Sequence, residues 1–395
     1  MSGAAADLER PIAAARALRS RPGAIFLDSS VENSGMSLVA ADPVFLIEGK
    51  DWDRLERELQ ARRRPAAAGG YPDGAAIGAV AFDGSFRFAF YDRLHVFLHG
   101  PGTWIRRPEA FLSATPTVGE RLRFEPTLQK ETFLDMVGRA KAYIAAGDIY
   151  QVCLAHPFVA GPGHAWEYFE RLRRCSPAPY SAFLELGNTR IASSSPECFL
   201  KMSGRQISTC PIKGTRPRRP DQPGDRRSAD DLLSSAKEIA ELTMITDLER
   251  NDLGQVCEYG SVDVPDLLRL EAFEQVFHLV STVRGTLRKE ITHVQALRHC
   301  FPGGSISGAP KRRALEIIRE LEPHPRGLYT GAIGYFGYNG ESQFSIAIRT
   351  AIFEPERTSF SVGAGIVADS VPESEWQETL DKAAGLLLAA HGSSR

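Results

Sequence analysis

The hydrophobic positions change rhythm along the chain. From Gly23 to Ser113 they come in short runs, AIFLDSS, MSLVAADPVFLIEG, AAIGAVAFDGSFRFAFYD and HVFLHGPGTWI, broken by Gly, Pro and Asp. Short β-like runs between turn formers predict strands, so this part is expected to be sheet-rich. One interruption, Leu55 to Gly70, carries LERELQARRR at helical spacing and a soft AAAGG exit, which predicts a surface helix and a linker.

Beyond Pro126 the pattern becomes mixed. TFLDMVGRAKAYIAAG reads as a helix, YQVCLAHPFV as a strand, and SAFLELGNTRIASSSPECFLKMSGRQISTCPIKGT as successive strands. Ser234 to Leu248 and Ala309 to Leu321 repeat apolar residues every three or four positions, whereas Gly327 to Phe353 and Thr358 to Val367 return to alternation. The expected organisation is α+β, with a sheet-rich region over 1–126 and a larger mixed region over 127–395. PRRPDQPGDRRSADD, from Pro217, is expected to be a mobile loop, its arginines either solvated or set against an anion.

Composition narrows the class. At 395 residues the chain exceeds one average domain of about 150. With 43% hydrophobic and 24% charged residues it is globular rather than disordered or fibrous. Lys and Arg number 47 against 49 Asp and Glu, so no basic excess exists for a nucleic-acid partner. Asp7, Glu9, Arg10, Arg16 and Arg19 interrupt the N-terminal apolar stretches, and runs such as Gly385 to Ala390 are far shorter than the roughly 18 residues of a membrane span. Neither export nor membrane insertion is expected. Six scattered cysteines without a CxxC pair suit reduced thiols, which places the chain in the cytoplasm.

Several segments carry candidate chemistry. Glu238 and Glu241 are three residues apart on a predicted helix whose packed side holds Ile239, Leu242 and Ile245. Glu375 and Glu378 repeat the spacing on a helix after Pro372. Four converging carboxylates would repel unless a hard divalent cation lay between them, and an all-oxygen set suits Mg²⁺. The plainer alternative is two wet helix faces, with Lys237 pairing Glu241 and Lys382 pairing Glu378. Lys213, where a strand gives way to a Gly-Thr turn, is either an ordinary surface lysine or a nucleophile whose proton is driven off by burial and by Arg216. Glu197, after Pro196, can be a structural acid or a protonated general acid.

FPGGSISGAPK fails the Walker pattern GxxxxGK[ST], because Ala309 and Pro310 follow Gly308. What remains is a Gly-rich turn entering a helix with Pro310 in its first turn and backbone N–H groups able to meet an anion. Arg349, in an alternating apolar run, needs an anionic partner, either a substrate carboxylate or an internal Glu. Tyr329 and His278 are candidate hydrogen-bond donors to a ligand or satisfied core residues.

Together and in order, GDIYQV (147–152), SSSPE (193–197), PIKGT (211–215), KEIAELTMITDLERNDLG (237–254), FHLVSTVRG (277–285), FPGGSISGAPK (301–311), YTGAIGY (329–335), FSIAIRT (344–350) and VGAGIVADSVPESEWQETLDKA (362–383) resemble the chorismate-utilising enzymes. The resemblance implies two facing antiparallel sheets flanked by helices, with Mg²⁺ held near Glu238, Glu241, Glu375 and Glu378. At the centre of PIxGT, anthranilate synthases of the family typically have Ala and the aminodeoxychorismate synthases Lys; Lys213 is similar to the latter. Isochorismate and salicylate synthases typically carry a Lys base where this chain has Gln151.

The implied reaction is Mg²⁺-dependent amination of chorismate to 4-amino-4-deoxychorismate, a precursor of 4-aminobenzoate and folate. Lys213 would attack C2 while Glu197 protonates the departing C4 hydroxyl, and ammonia at C4 would expel the lysine. By the same likeness Arg349 and Tyr329 would hold the enolpyruvyl carboxylate, with Thr215, His278 and the Gly363 to Gly365 backbone completing the pocket. The chain shows no glutaminase stretch, so ammonia is expected from a separate glutamine amidotransferase subunit. Related enzymes place a tryptophan pocket partly on a segment equivalent to FLDSSVENSGMSLVAADP, here in a short version.

Overall fold

Alternation along the N-terminal strands decides how the molecule is layered. In the computed structural model, which describes residues 2–29, 31, 35–66, 69–108, 121–219, 221–272 and 276–391, Ile25 and Leu38 point inward beside Ile77 and Ile333. Their neighbours Phe26 and Val39 point outward, under Phe169 and Leu386 of two helices. Phe86, Phe88 and Phe90 likewise face outward against Trp52 and Leu55, while Ala89 and Tyr91 face the other sheet. Each large side chain fully buried this way contributes about 1.5–3 kcal/mol.

Two antiparallel sheets result, of eleven and ten strands among the described residues, packed face to face with helices on both outer surfaces. This is the α+β arrangement expected from the sequence. The N-terminal strands are woven into both sheets: Ile25–Asp28 pairs with Tyr180–Leu186, and Ala75–Val80 pairs with Ala332–Gly337. Residues on either side of the 126/127 boundary therefore share both sheets. The helix expected after Leu55 runs Trp52–Ala61. Among the described residues no helix is long and apolar enough to cross a membrane.

The segment expected to be a mobile loop is instead largely a helix, Gln222–Ser234. Asp221 caps it by accepting from the Gly224 N–H at 2.8 Å, Pro223 occupies its first turn, and Leu232 is fully buried. Two of its acids pair with arginines that precede it: Arg218 forks onto Asp225 and Arg216 reaches Asp231, while Arg226 and Arg227 are exposed.

The next helix, Ala236–Gly254, is capped by Ser235 and buries Leu242 and Ile245, with Ile239 half-buried. The helix Pro372–His391 starts at its proline and lies against the strand Thr358–Ile366. These two helices bring their acids to the cavity described next.

Candidate functional site

The strand Ile212–Pro217 pairs with Val276–Thr286, and its register slips between Lys213 and Thr215, where Gly214 adopts φ +69°. A bulge of this kind re-aims side chains. Lys213 and Thr215 both line a cavity of about 570 Å³, a volume typical of small-molecule sites. Lys213 Nζ lies 2.8 Å from Glu241 Oε1 and 3.3 Å from the Ser305 carbonyl oxygen. Burial alone would lower its pKa, but the Glu241, Cys153 and Glu197 groups outweigh burial and hold Lys213 above its ordinary value. The expected depression is thus not present, and the reason is local: Arg216 turns away to Asp231, and Lys213 faces carboxylates instead.

Glu197 lies on the same wall, immediately before the strand Cys198–Ser203, and is 6% exposed. Burial raises its pKa, against opposing contributions from the Ser305 hydrogen bond and the Lys213 charge. A carboxyl in this state favours its proton, as a general acid requires.

On the strand paired beside Lys213, His278 Nδ1 lies 3.1 Å from both Thr215 Oγ1 and the Gly214 carbonyl, and burial lowers its pKa. Tyr329 and Arg349 line the same space, as do Gly363 and Gly365. A Cβ on Gly363 would fall 2.5 Å from the Leu154 carbonyl and 3.0 Å from the Tyr329 hydroxyl; one on Gly365 would fall 2.5 Å from Gln151 Nε2. Glycine keeps that wall low. Arg349 lies between strands Glu341–Ile346 and Thr350–Phe353, in left-handed backbone at φ +48°, rather than inside an alternating strand. It makes no side-chain ion pair with another described residue, so the internal Glu that was one of its expected partners is not there. Burial lowers its pKa, which leaves a guanidinium suited to an incoming carboxylate.

Glu238, Glu241 and Glu378 line the cavity, while Glu375 is buried just behind it at 3% exposure. Each of these three lining glutamates faces a basic side chain. Glu241 is held by Lys213 and by Gln151 Nε2 at 2.7 Å, Glu378 by Lys382 at 2.7 Å, and Glu238 lies 3.7 Å from Arg216. The expected Lys382–Glu378 pair is therefore present, whereas Glu241 is paired by Lys213 rather than by Lys237. Among the described residues no three His, Cys, Asp or Glu groups cluster tightly enough to cage a metal. The donor chemistry nevertheless fits a hard cation: every donor is a carboxylate oxygen, and Glu375 Oε2 is buried without a hydrogen-bond partner.

With this geometry in place, the comparisons with known proteins are decisive for the family. The family model described as chorismate binding enzyme matches residues 52–388. The chain belongs to the chorismate-binding enzyme family. It is 37% identical to anthranilate synthase component 1 of Thermus thermophilus over 97% of this chain and 96% of that one. It is 43% identical to anthranilate synthase component 1 of Synechocystis over 73% of this chain, spanning 59% of that relative's length. Among solved structures, anthranilate synthase component I of Streptococcus pneumoniae superposes with a TM-score of 0.80 at 31% identity, covering 90% of this chain and 92% of that one. The menaquinone-specific isochorismate synthase of Escherichia coli, at 22% identity and a TM-score of 0.77 over 95% of this chain and 91% of that one, shares the fold.

Several residues of this chorismate-binding enzyme escaped the sequence reading as site residues. Ser305, Arg326 and Lys382 line the cavity, and Gln151 orients Glu241. Pro310 caps the helix Lys311–Leu321 rather than sitting inside its first turn, and one N–H of the Gly-rich turn, that of Gly304, meets an internal carboxyl, Glu249 Oε1, at 2.9 Å. Glycines at that turn were a legible signal; the partner eight residues beyond Glu241 was not. Near the segment that resembles a tryptophan pocket, the described residues enclose only about 50 Å³, and Asp28 there is taken by Arg173 at 2.7 Å.

Proposed function

We propose that this chain aminates chorismate to 4-amino-4-deoxychorismate, using ammonia delivered by a separate glutamine amidotransferase. The observation that carries this reading is Lys213, a buried amine in the cavity wall beside Glu197 and 2.8 Å from Glu241. An alanine there, as is typical of the family's anthranilate synthases, would offer no nucleophile.

The atoms balance as follows. The Lys213 amine, once deprotonated, attacks C2; the ring double bonds shift; and the C4–O bond breaks as Glu197 hands its proton to the departing hydroxyl, releasing water. Ammonia then adds at C4, the double bonds shift back, and the C2–N bond to Lys213 breaks. Glu197 recovers a proton as the ammonium at C4 becomes an amine. Arg349 and Tyr329 would hold the enolpyruvyl carboxylate, and Thr215 and His278 would border the ring.

Glu238, Glu241, Glu375 and Glu378 would hold Mg²⁺, whose charge when bound would offset that of the ring carboxylate. For Glu241 to serve, Lys213 must release it, and that release also removes the chief carboxylate keeping Lys213 charged.

Anthranilate synthesis is the second reading, favoured by the names of the relatives. Chromatography of the product formed from chorismate, Mg²⁺ and an ammonium salt separates the two. The expected product is 4-amino-4-deoxychorismate; anthranilate formed without an added lyase would overturn the proposal.

A further inference from the structure

The helix that presents Glu238 and Glu241 to the cavity also carries Asp247, Glu249 and Asp252, and of these Glu249 lies three turns beyond Glu238 on nearly the same face. Glu249 is 2% exposed, and the amination reading assigns it nothing. Its Oε1 accepts from the Gly304 N–H at 2.9 Å, and its Oε2 has no partner. Gly304 opens the short turn Gly304–Ile306. At the far end of that turn, Arg326 Nη1 donates to the Ile306 carbonyl at 3.1 Å. Arg326 also donates to the Cys153 carbonyl at 2.8 Å and is ion-paired with Glu322, both side chains at 5% exposure or less.

Between these two buried side chains stands Ser305. Its carbonyl receives Lys213 Nζ at 3.3 Å, and its side chain lies close enough to Glu197 to favour the charged carboxylate. The turn is seated without slack: a Cβ on Gly304 would lie 2.8 Å from Leu248 Cδ2 and 3.0 Å from Glu249 Oε1.

We propose that Glu249 and Arg326 are positioning residues that clamp the two ends of the Gly304–Ile306 turn, so that Ser305 fixes Lys213 and Glu197 relative to each other. Neither clamp residue touches the reacting atoms. Burial, then Asp252, pushes the Glu249 carboxyl up, and its oxygen can accept from Gly304 with or without the proton. A glutamine, with its carbonyl oxygen in the same place, preserves the clamp, whereas alanine strands a buried N–H.

The proposal rests on the reading that Lys213 and Glu197 do the chemistry, and the test separates the two. Full-length wild type, Glu249→Gln, Glu249→Ala and Arg326→Lys are compared for kcat, KM for chorismate and Tm, with the product identified in parallel. The expected result is a kcat lowered about 10–100-fold in Glu249→Ala with KM within twofold, and recovery to within about threefold of wild type in Glu249→Gln. Arg326→Lys, which lacks the fork, is expected to lose kcat similarly. The double variant should lose less than the product of the single losses, because both hold one turn.

Full kcat in folded Glu249→Ala, a glutamine variant no better than alanine, or kcat losses that simply multiply would overturn the clamp. If Glu249→Ala does not fold, Glu249→Asp decides: its carboxylate falls one methylene short of Gly304, so a folded variant with unchanged kcat contradicts the proposal. Anthranilate as product would remove the amination reading while leaving the variant-to-wild-type ratios as a test of the clamp.

Discussion

Lys213 Nζ and Glu241 Oε1 lie 2.8 Å apart inside the cavity, so the candidate nucleophile and a candidate metal ligand neutralise each other. Both side chains are about 15% exposed, which keeps solvent from screening the pair. On the proposed reading, a divalent cation and Lys213 would compete for one carboxylate.

Replacing Lys213 by Met removes that competitor. Mg²⁺ titrated against the thermal unfolding of the full chain should bind the variant roughly tenfold more tightly or better than wild type, a difference of about 1.4 kcal/mol. Equal or weaker Mg²⁺ affinity in Lys213→Met would show that Glu241 is not a ligand.

Glu197→Gln keeps the volume and removes the proton. The kcat is expected to drop about 10²–10⁴-fold with KM for chorismate changed only a few-fold. Because burial raises the Glu197 pKa, wild-type rate should decline as pH rises through that raised value, and this alkaline decline should be absent from the residual rate of the variant. A variant that retains wild-type kcat would remove Glu197 from the chemistry.

Arg349 makes no side-chain ion pair with a described residue and lines the cavity. Arg349→Ala should raise KM for chorismate by roughly 10–100-fold, the worth of a charge-assisted hydrogen bond. Steady-state kinetics check it, and an unchanged KM would mean that the substrate carboxylate lies elsewhere.

His156 couples the sheet to the helix bearing Glu375 and Glu378. It stacks on Trp376 at 4.7 Å, its Nε2 lies 3.0 Å from Thr379 Oγ1, and burial lowers its pKa from 6.5 to about 4. The folded chain thus keeps His156 neutral where the unfolded chain would protonate it. Stability from this group is complete above pH 6.5 and is lost as pH falls toward 4, by up to roughly 3 kcal/mol. Urea midpoints at pH 7 and pH 4.5 should fall less for His156→Phe than for wild type; equal falls would contradict the assignment.

The layers of the fold were legible because period-two alternation is a direct consequence of strand geometry, as Phe86, Phe88 and Phe90 illustrate. Local charge density misled the reading of 217–231: Arg216 and Arg218 looked solvated, but Asp231 and Asp225 on the following helix pair with them. Asp221 and Pro223 were the overlooked helix-start signals. The cavity acids could be paired by spacing along each helix, yet the Lys213–Glu241 contact joins a strand to a helix 28 positions later, and no periodicity reports such a contact. Glu249 was hidden for the same reason, since its partner Gly304 is brought to it only by the tertiary fold.

The central claim is that Lys213 forms a bond to chorismate, and mass spectrometry of the intact protein after exposure to chorismate and Mg²⁺ without ammonia tests it most directly. The expected result is an added mass equal to chorismate less one water, mapped to Lys213 after digestion and absent from Lys213→Met. Turnover on later addition of ammonium with no such adduct under any trapping condition, and an undiminished rate in Lys213→Met, would contradict it.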